Sequence, residues 1–371
     1  MPPVTVLVLS PQLAPGAGPL ERALDAARDG LADRLLAGFL RAGAAEVILR
    51  REPPDDTPFG ARLRRLVAEL RPAGGIVVLG AGALPAATDT DLRAFVDAAA
   101  AERPGALANH CYSADAVAVA CASTVLADLP DLPSDNALPR WLRETARVPV
   151  GDLRTRRHLA VDVDSPLDLV LLEGRSGHRS AGGTGDLEAP VPQIDPELAA
   201  PALARLADLR AVARDAGAEL LVAGRTSAAD LRWLETHTAC RVRALIEERG
   251  LRTAAGAALA GRPNRRPARS VLGLLLDSNG PASLGGLVGG IADGAVIDSR
   301  VLLAHRYGAN ERAWPPAEDR FASDLLLPER IADPWLAALT RAAADAPIPV
   351  LLGGHSLVGP GLRIALGSTP R

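Results

Sequence analysis

The chain contains no lysine: every one of its 41 basic residues, in 371 positions, is arginine. That excludes a Walker-type phosphate loop, whose lysine reaches the β- and γ-phosphates, and a lysine that forms a Schiff base. Aromatic residues make up only 3%, so the cores must be built from Ala, Leu and Val. Cysteine is nearly absent. Cys111, Cys121 and Cys240 are odd in number and lack C-x-x-C spacing, which excludes a disulfide framework and a zinc knuckle. There is no long apolar run and no basic leader after Met1. The sequence therefore predicts neither a membrane span nor a secretory signal, and a cytoplasmic protein is expected. The net charge of −3 argues against a general nucleic-acid binder.

What is present is the composition of a globular protein, 48% apolar and 23% charged. A chain of this length exceeds most single cores, so two domains are expected. The first half alternates short apolar runs with helical spacing. Val4–Leu9, Ala45–Leu49 and Gly75–Leu79 read as strands, and so does the run Ala116–Cys121. Helices are predicted over Glu21–Ala42, Arg62–Leu70 and Asp89–Ala101, the last capped by Thr88, and over Leu138–Thr145, where Ser134 reads as an N-cap. This alternation predicts a mostly parallel α/β sheet.

The stretch His158–Glu173, HLAVDVDSPLDLVLLE, is the most informative. Period-2 apolar residues give way to a helical pattern at Ser165-Pro166, as at a strand-to-helix corner. Asp162 and Asp164 stand at alternate positions and point one way, at a strand end where open α/β sheets bind ligands. Together they are a candidate divalent-cation site. Asp168 reads as a carboxylate that complements the following helix. Two glycine-bearing loops follow strands, one with Ser10, Gly16 and Gly18 and one with Gly80 and Gly82; their backbone N–H groups suit a phosphate, and equally the glycines can serve to turn corners. A polar island, Asn109, His110, Ser113 and Asp115, reads either as a substrate contact or as a turn that caps its own backbone.

These residues resemble the nucleotidyltransferases of the GT-A type, in particular the molybdenum-cofactor and phospholactate guanylyltransferases. The resemblance runs over about residues 1–175. It rests on Asp162, Asp164, Ser165, Pro166, Asp168 and Leu169, and on Leu84-Pro85 and Thr88–Leu92. It implies a GT-A-like sheet and transfer of a nucleoside monophosphate from a nucleoside triphosphate to a small phosphorylated or sugar acceptor. It further implies a nucleoside triphosphate or nucleotide-sugar ligand on the first loop, and Mg2+ on Asp162 and Asp164. The acceptor is expected near Asn109–Asp115. Two departures stand out. The first loop carries no charge, and the metal-binding Asp implied after the third strand is replaced by Gly80–Ala83. The alternative is a degenerate, non-catalytic transferase domain that binds a nucleotide or sugar, with any chemistry in the second domain.

Residues 176–195 are rich in Gly, Ser and Pro and read as a linker. Gly182–Gly185 has no strand leading into it, and His178 reads as solvated. From Pro196 to Arg371 a second α/β domain of unrecognised family is expected. Helices are predicted over Leu198–Ala216, over Ala228–Thr236 (capped by Ser227), after Gly250, and over Ala332–Ala344 (capped by Asp333). Strands are predicted at Ala218–Ala223, Cys240–Ile246, Ala295–Ile297 and Pro349–Leu352. Arg225, Asp298, Arg300, His305, Asp319, Arg320, Asp324 and His355 gather around strand ends and together suggest a polar cleft.

Overall fold

Continuous apolar runs without alternation need cover on both faces, and that is how the first strands sit. In the computed structural model, which describes residues 1–53, 55–176, 194–249 and 268–367, Val6, Leu7 and Val8 of β1 (Val4–Pro11) and Ile76 and Val77 of β3 (Gly75–Gly80) are buried. The architecture is α/β, with a mostly parallel six-stranded sheet and a second, wholly parallel four-stranded sheet.

The first sheet also contains β2 (Glu46–Glu52), β4 (Ala106–Ala108), β5 (Ala116–Val119) and β6 (Val150–Asp152), in the order β2-β1-β3-β5-β4-β6. β1 is parallel to β2 and β3, and β4 is parallel to β6, but β5 runs antiparallel to both of its neighbours. The sequence locates β5 but not its reversed direction. β4 and β6 are three residues each, too short to show a period. The helix Asp89–Ala99 begins with a full capping box between Thr88 and Asp91. Ser134, expected to be an N-cap, makes no cap hydrogen bond; a short 3-10 turn at Asp135–Ala137 precedes the helix Leu138–Glu144 instead.

The largest correction concerns residues 158–164. They form no strand. Arg157–Ala160 is a 3-10 turn, and the residues after it are extended without a sheet partner. Alternation survives, because Val161 and Val163 are buried while Asp164 is exposed. A period of two is therefore no proof of a ladder. Here the apolar residues are held by a loop contact, Val163 N–H donating to the Gly82 carbonyl at 2.9 Å.

The described chain divides into two compact units. The first comprises Met1–Ala17 and Asp25–Val163; the second comprises Gly18–Leu24, residues 164–176, 194–249 and 268–367. The break falls at Val163/Asp164, ahead of residue 175. The reason lies in the helix Pro166–Ser176, whose Leu167 and Leu169–Leu172 are all buried. A helix apolar on all sides must be covered on all sides, and it packs against Pro196–Arg214, Ala317–Asp324 and Leu362–Leu366 of the second unit.

The second sheet has β7 (Glu219–Gly224), β8 (Arg241–Ile246), β9 (Gly294–Asp298) and β10 (Val350–Gly353), in the order β10-β9-β7-β8. β8 is half-exposed at the edge, as its alternation predicts. The apolar stretches at Ser270–Leu276 and Val301–Ala304 belong to the helices Val271–Asn279 and Ser299–Tyr307. Ser227 and Asp333 cap their helices as expected. Residues 177–193, with His178 and Gly182–Gly185, and residues 250–267, where a helix was expected, lie outside the described residues. No helix among the described residues is long and apolar enough to cross a membrane.

Candidate functional site

Each sheet has a point where the strand order turns back, and in open α/β sheets ligands bind at the carboxyl ends of strands there. In the first unit the point lies between β1 and β3, since the chain goes from β1 to β2 on one side and to β3 on the other. Leu9 pairs with Gly80 in register, which brings Ser10 and the Gly80–Ala83 loop to one edge. Ser10 is buried, and its hydroxyl has no hydrogen-bond partner among the described residues. A Cβ added at Gly80 would meet nothing within 4 Å, so the space beside that strand end is open. Gly82 differs. A Cβ there would come within 2.6 Å of the Val163 carbonyl, so this glycine permits close packing of two loops. Arg28 fixes the same place, its Nε donating to the Val163 carbonyl at 2.9 Å. Gly16 has φ of +85° and serves a turn.

Gly18 belongs to the second unit. A Cβ on it would lie 2.2 Å from the Glu318 carboxyl carbon. That carboxylate accepts from the backbone N–H of Leu20 and Glu21, and the Glu21 carboxylate accepts from Gly18 N–H at 2.9 Å. The first-turn donors of the helix Pro19–Arg41, which a phosphate could use, already have side-chain acceptors.

The polar island is largely turned inward. Asn109 is buried; its amide donates to Asp115 and to the Leu159 carbonyl, and its oxygen accepts from Asp115 N–H and Ala116 N–H. His110 accepts from Tyr112 N–H through Nδ1 at 3.1 Å. Ser113 is partly exposed beside them. Asn109 thus staples its own loop.

Asp168 accepts from Ser165 N–H at 2.7 Å, from the Ser165 hydroxyl and from Asp164 N–H, the capping role read from the sequence. Burial, and then the nearby Asp164 charge, push its carboxyl up to about 7. Asp162 and Asp164 remain the two carboxylates of the stretch, and no group of three or more His, Cys, Asp or Glu able to hold a metal occurs among the described residues. Two carboxylates fit an ion that completes its shell with water and substrate phosphates, as Mg2+ does, and do not fit a closed protein cage.

Asp91 was legible only as a helix-start residue. It is buried and accepts from Thr88, from Arg156 at 2.8 Å and from His158 Nε2 at 2.7 Å. Burial alone would raise its carboxyl, but the hydrogen bonds from Thr88, His158 and Arg156 outweigh it and hold it at about 2.

In the second unit the order turns back between β7 and β9. Gly224 ends β7 with φ of +131°, and a Cβ there would come within 2.3 Å of the Asp298 Cβ, so only glycine permits this approach. Asp298 is buried, accepts from Arg225 Nε at 3.0 Å and caps Arg300 N–H at 3.1 Å. The Arg300 guanidinium meets Asp324 with two parallel bonds of 2.6 Å. Burial disfavours its charge, but Asp324 outweighs burial and holds it protonated. A water-sized pocket opens here, lined by Gly224, Glu247, Ser270, Ile297, Asp298 and Val301 among others. Two of the expected cleft residues are committed elsewhere. His305 is held between Ser270 N–H and Asp277, and Asp319 accepts from Ala332 N–H and Asp333 N–H. The sequence reading missed Arg249, which follows β8 and pairs with Glu311 at 2.8 Å. Its place just beyond a strand end was the available signal.

No protein-family model and no curated protein matches the chain. Among solved structures, the chain is similar to a Desulfovibrio desulfuricans G20 protein titled "putative nucleotide-diphospho-sugar transferase", at 14% identity and a TM-score of 0.35, over 50% of this chain and 92% of that one. It is also similar to Rv0371c from Mycobacterium tuberculosis H37Rv, at 19% identity and a TM-score of 0.26, over 43% of this chain and 98% of that one. Likenesses of that size carry no argument about the site, and the architecture stands on the chain's own strand order.

Proposed function

We propose that the first unit binds a nucleotide at the carboxyl edge of β1 and β3, and that the chain is a nucleotidyltransferase-like protein of the guanylyltransferase type. The observation that carries this reading is the buried Ser10 hydroxyl, which has no hydrogen-bond partner among the described residues, at the sheet edge it shares with the Gly80–Ala83 loop. A buried hydroxyl without a partner costs about 1–3 kcal/mol, and a ligand oxygen at this edge would supply the partner. In the proposed reaction an acceptor oxygen bonds to the α-phosphorus of a nucleoside triphosphate, the α–β bridging bond breaks, and pyrophosphate leaves with the electron pair. Asp162 and Asp164 would hold Mg2+, which supplies charge neutralisation at the phosphates. Ser10 and the Gly80–Ala83 backbone orient the nucleotide, and Ser113 and Asp115 face the acceptor.

Calorimetry with GTP, CTP and ATP, with and without Mg2+, tests the reading. Metal-dependent binding that Asp164→Ala abolishes supports it, and no heat with any nucleotide sinks it. A second reading, a binding module without transfer chemistry, is favoured by Glu318, which holds the first-turn N–H groups of the helix Pro19–Arg41. Nucleotide binding without pyrophosphate release, across phosphorylated and sugar acceptors, would select it.

A further inference from the structure

Two histidines meet an aspartate, and they differ in one respect. His305 uses both ring nitrogens: Nδ1 accepts from Ser270 N–H at 3.0 Å, and Nε2 meets Asp277 at 2.9 Å. That ring is fully committed. His158 uses only one. Its Nε2 meets the Asp91 carboxylate at 2.7 Å, and Nδ1 has no hydrogen-bond partner among the described residues. The Asp91 side chain is 4% exposed and that of His158 is 32% exposed, so a half-exposed ring is anchored on a buried anion. Asp91 does not need the histidine to start its helix, because the capping box with Thr88 is complete without it. Despite burial, the hydrogen bonds to Asp91 hold its carboxyl at about 2, so it is ionised at neutral pH. An ionised carboxylate only accepts. Nε2 therefore carries the proton of the neutral imidazole, and Nδ1 presents its lone pair. A carboxylate that sets the tautomer of an accessible imidazole is how a general base is prepared.

The ring is tied to the carboxyl edge of the first sheet by short contacts. Gly80 N–H donates to the Asp115 carbonyl at 3.3 Å. The Asn109 amide joins the Asp115 carboxylate to the Leu159 carbonyl, at 3.0 Å each, and Leu159 follows His158 directly. Thr88 and Asp91 come from the segment that leaves β3. His158 is thus fixed beside the loop assigned above to the acceptor. We infer that His158 is the general base of the proposed transfer, and that the acceptor is a hydroxyl of a sugar or other small alcohol. The inference rests on the transferase reading of the first unit. In the step, His158 Nδ1 takes the hydroxyl proton as the acceptor oxygen bonds to the α-phosphorus. The α–β bridging bond breaks, and pyrophosphate leaves with the electron pair. Asp91 stabilises the imidazolium, which then gives its proton to water. A phosphate acceptor is already ionised at neutral pH and would leave this base idle. The charged groups bonded to the ring or to its loop anchors are Asp91, Arg156 (on Asp91 at 2.8 Å) and Asp115. Asp91 is a positioning residue.

The test uses the full chain with Mg2+ and whichever of GTP, CTP and ATP it binds in calorimetry. Glycerol and a panel of monosaccharides are offered as acceptors, and then their phosphate esters. Phosphorus NMR of the product separates a phosphodiester, made on a hydroxyl, from a diphosphate, made on a phosphate. A phosphodiester is expected, with a kcat that rises with pH to a plateau. His158→Gln is expected to lower that kcat by about a hundredfold or more, to remove the rise, and to leave KM for the nucleotide unchanged. Asp91→Asn is expected to lower kcat and displace the rise, again at unchanged nucleotide KM. Should both variants fail to fold, the wild-type profile decides, and a kcat that is flat in pH overturns the inference. Diphosphate as the sole product overturns it and leaves the transferase reading standing, as does a folded His158→Gln with wild-type kcat. Nucleotide binding without pyrophosphate release for any acceptor overturns it in favour of the binding module. No nucleotide binding at all defeats both readings of the first unit.

Discussion

The Glu318 carboxylate accepts the backbone N–H of Leu20 on both of its oxygens, at 3.1 and 3.0 Å. One oxygen also takes Glu21 N–H at 3.1 Å. An internal anion thus sits at the positive end of a 23-residue helix, almost 300 residues away along the chain.

Removing that anion has one expected consequence. Glu318→Ala should cost about 1 kcal/mol in urea unfolding, the usual worth of a helix-start acceptor. An unchanged urea midpoint would show that the carboxylate adds nothing to the helix start.

The Arg300–Asp324 pair should be sensitive to loss of one partner. Asp324→Ala leaves the buried Arg300 guanidinium without its bidentate acceptor. A stranded buried charge costs about 3–5 kcal/mol, read as a lower urea midpoint. The double substitution Arg300→Met with Asp324→Leu should recover much of the loss, because no charge is left behind. Equal losses in the single and double variants would contradict this.

His355 gives the stability a direction in pH. Its folded imidazole titrates at about 4, below the ordinary value near 6.5. The unfolded chain therefore binds the proton first as pH falls. The stability is fully present above about pH 6.5, declines as pH falls towards 4, and is flat in this contribution below that. The full shift corresponds to about 3 kcal/mol as an upper bound. Urea unfolding from pH 7.5 down to 4 should show the decline, and His355→Asn should flatten it. An identical slope in the variant would sink the assignment.

The legible parts of the fold were those with a period or a cap. β1, β3 and β7 are largely apolar runs, and Thr88, Ser227 and Asp333 precede their helices as capping residues do. The direction of β5 was not legible, since AVAVAC carries the same pattern whichever way it runs. HLAVDVD misled because extended chain held by one loop hydrogen bond alternates just as a strand does. At the candidate sites, sequence showed which polar residues lie near strand ends but not which are already paired. Asn109, His305 and Asp319 looked available and are committed to backbone groups. Arg249 was not singled out, and it is half-buried in a pair with Glu311. That difference is decided by long-range contacts, which local pattern does not encode.

The half-exposed edge strand β8 has a further consequence. Arg241 and Arg243 are both exposed on it, two residues apart on one face. Arg243 is paired with Glu219 at 2.9 Å, so a strand approaching that edge would meet an ion pair and the Arg241 guanidinium. Edges that carry charge in this way resist strand addition. The second sheet thus guards itself against growing into a filament, and in a chain without lysine arginine alone supplies that guard.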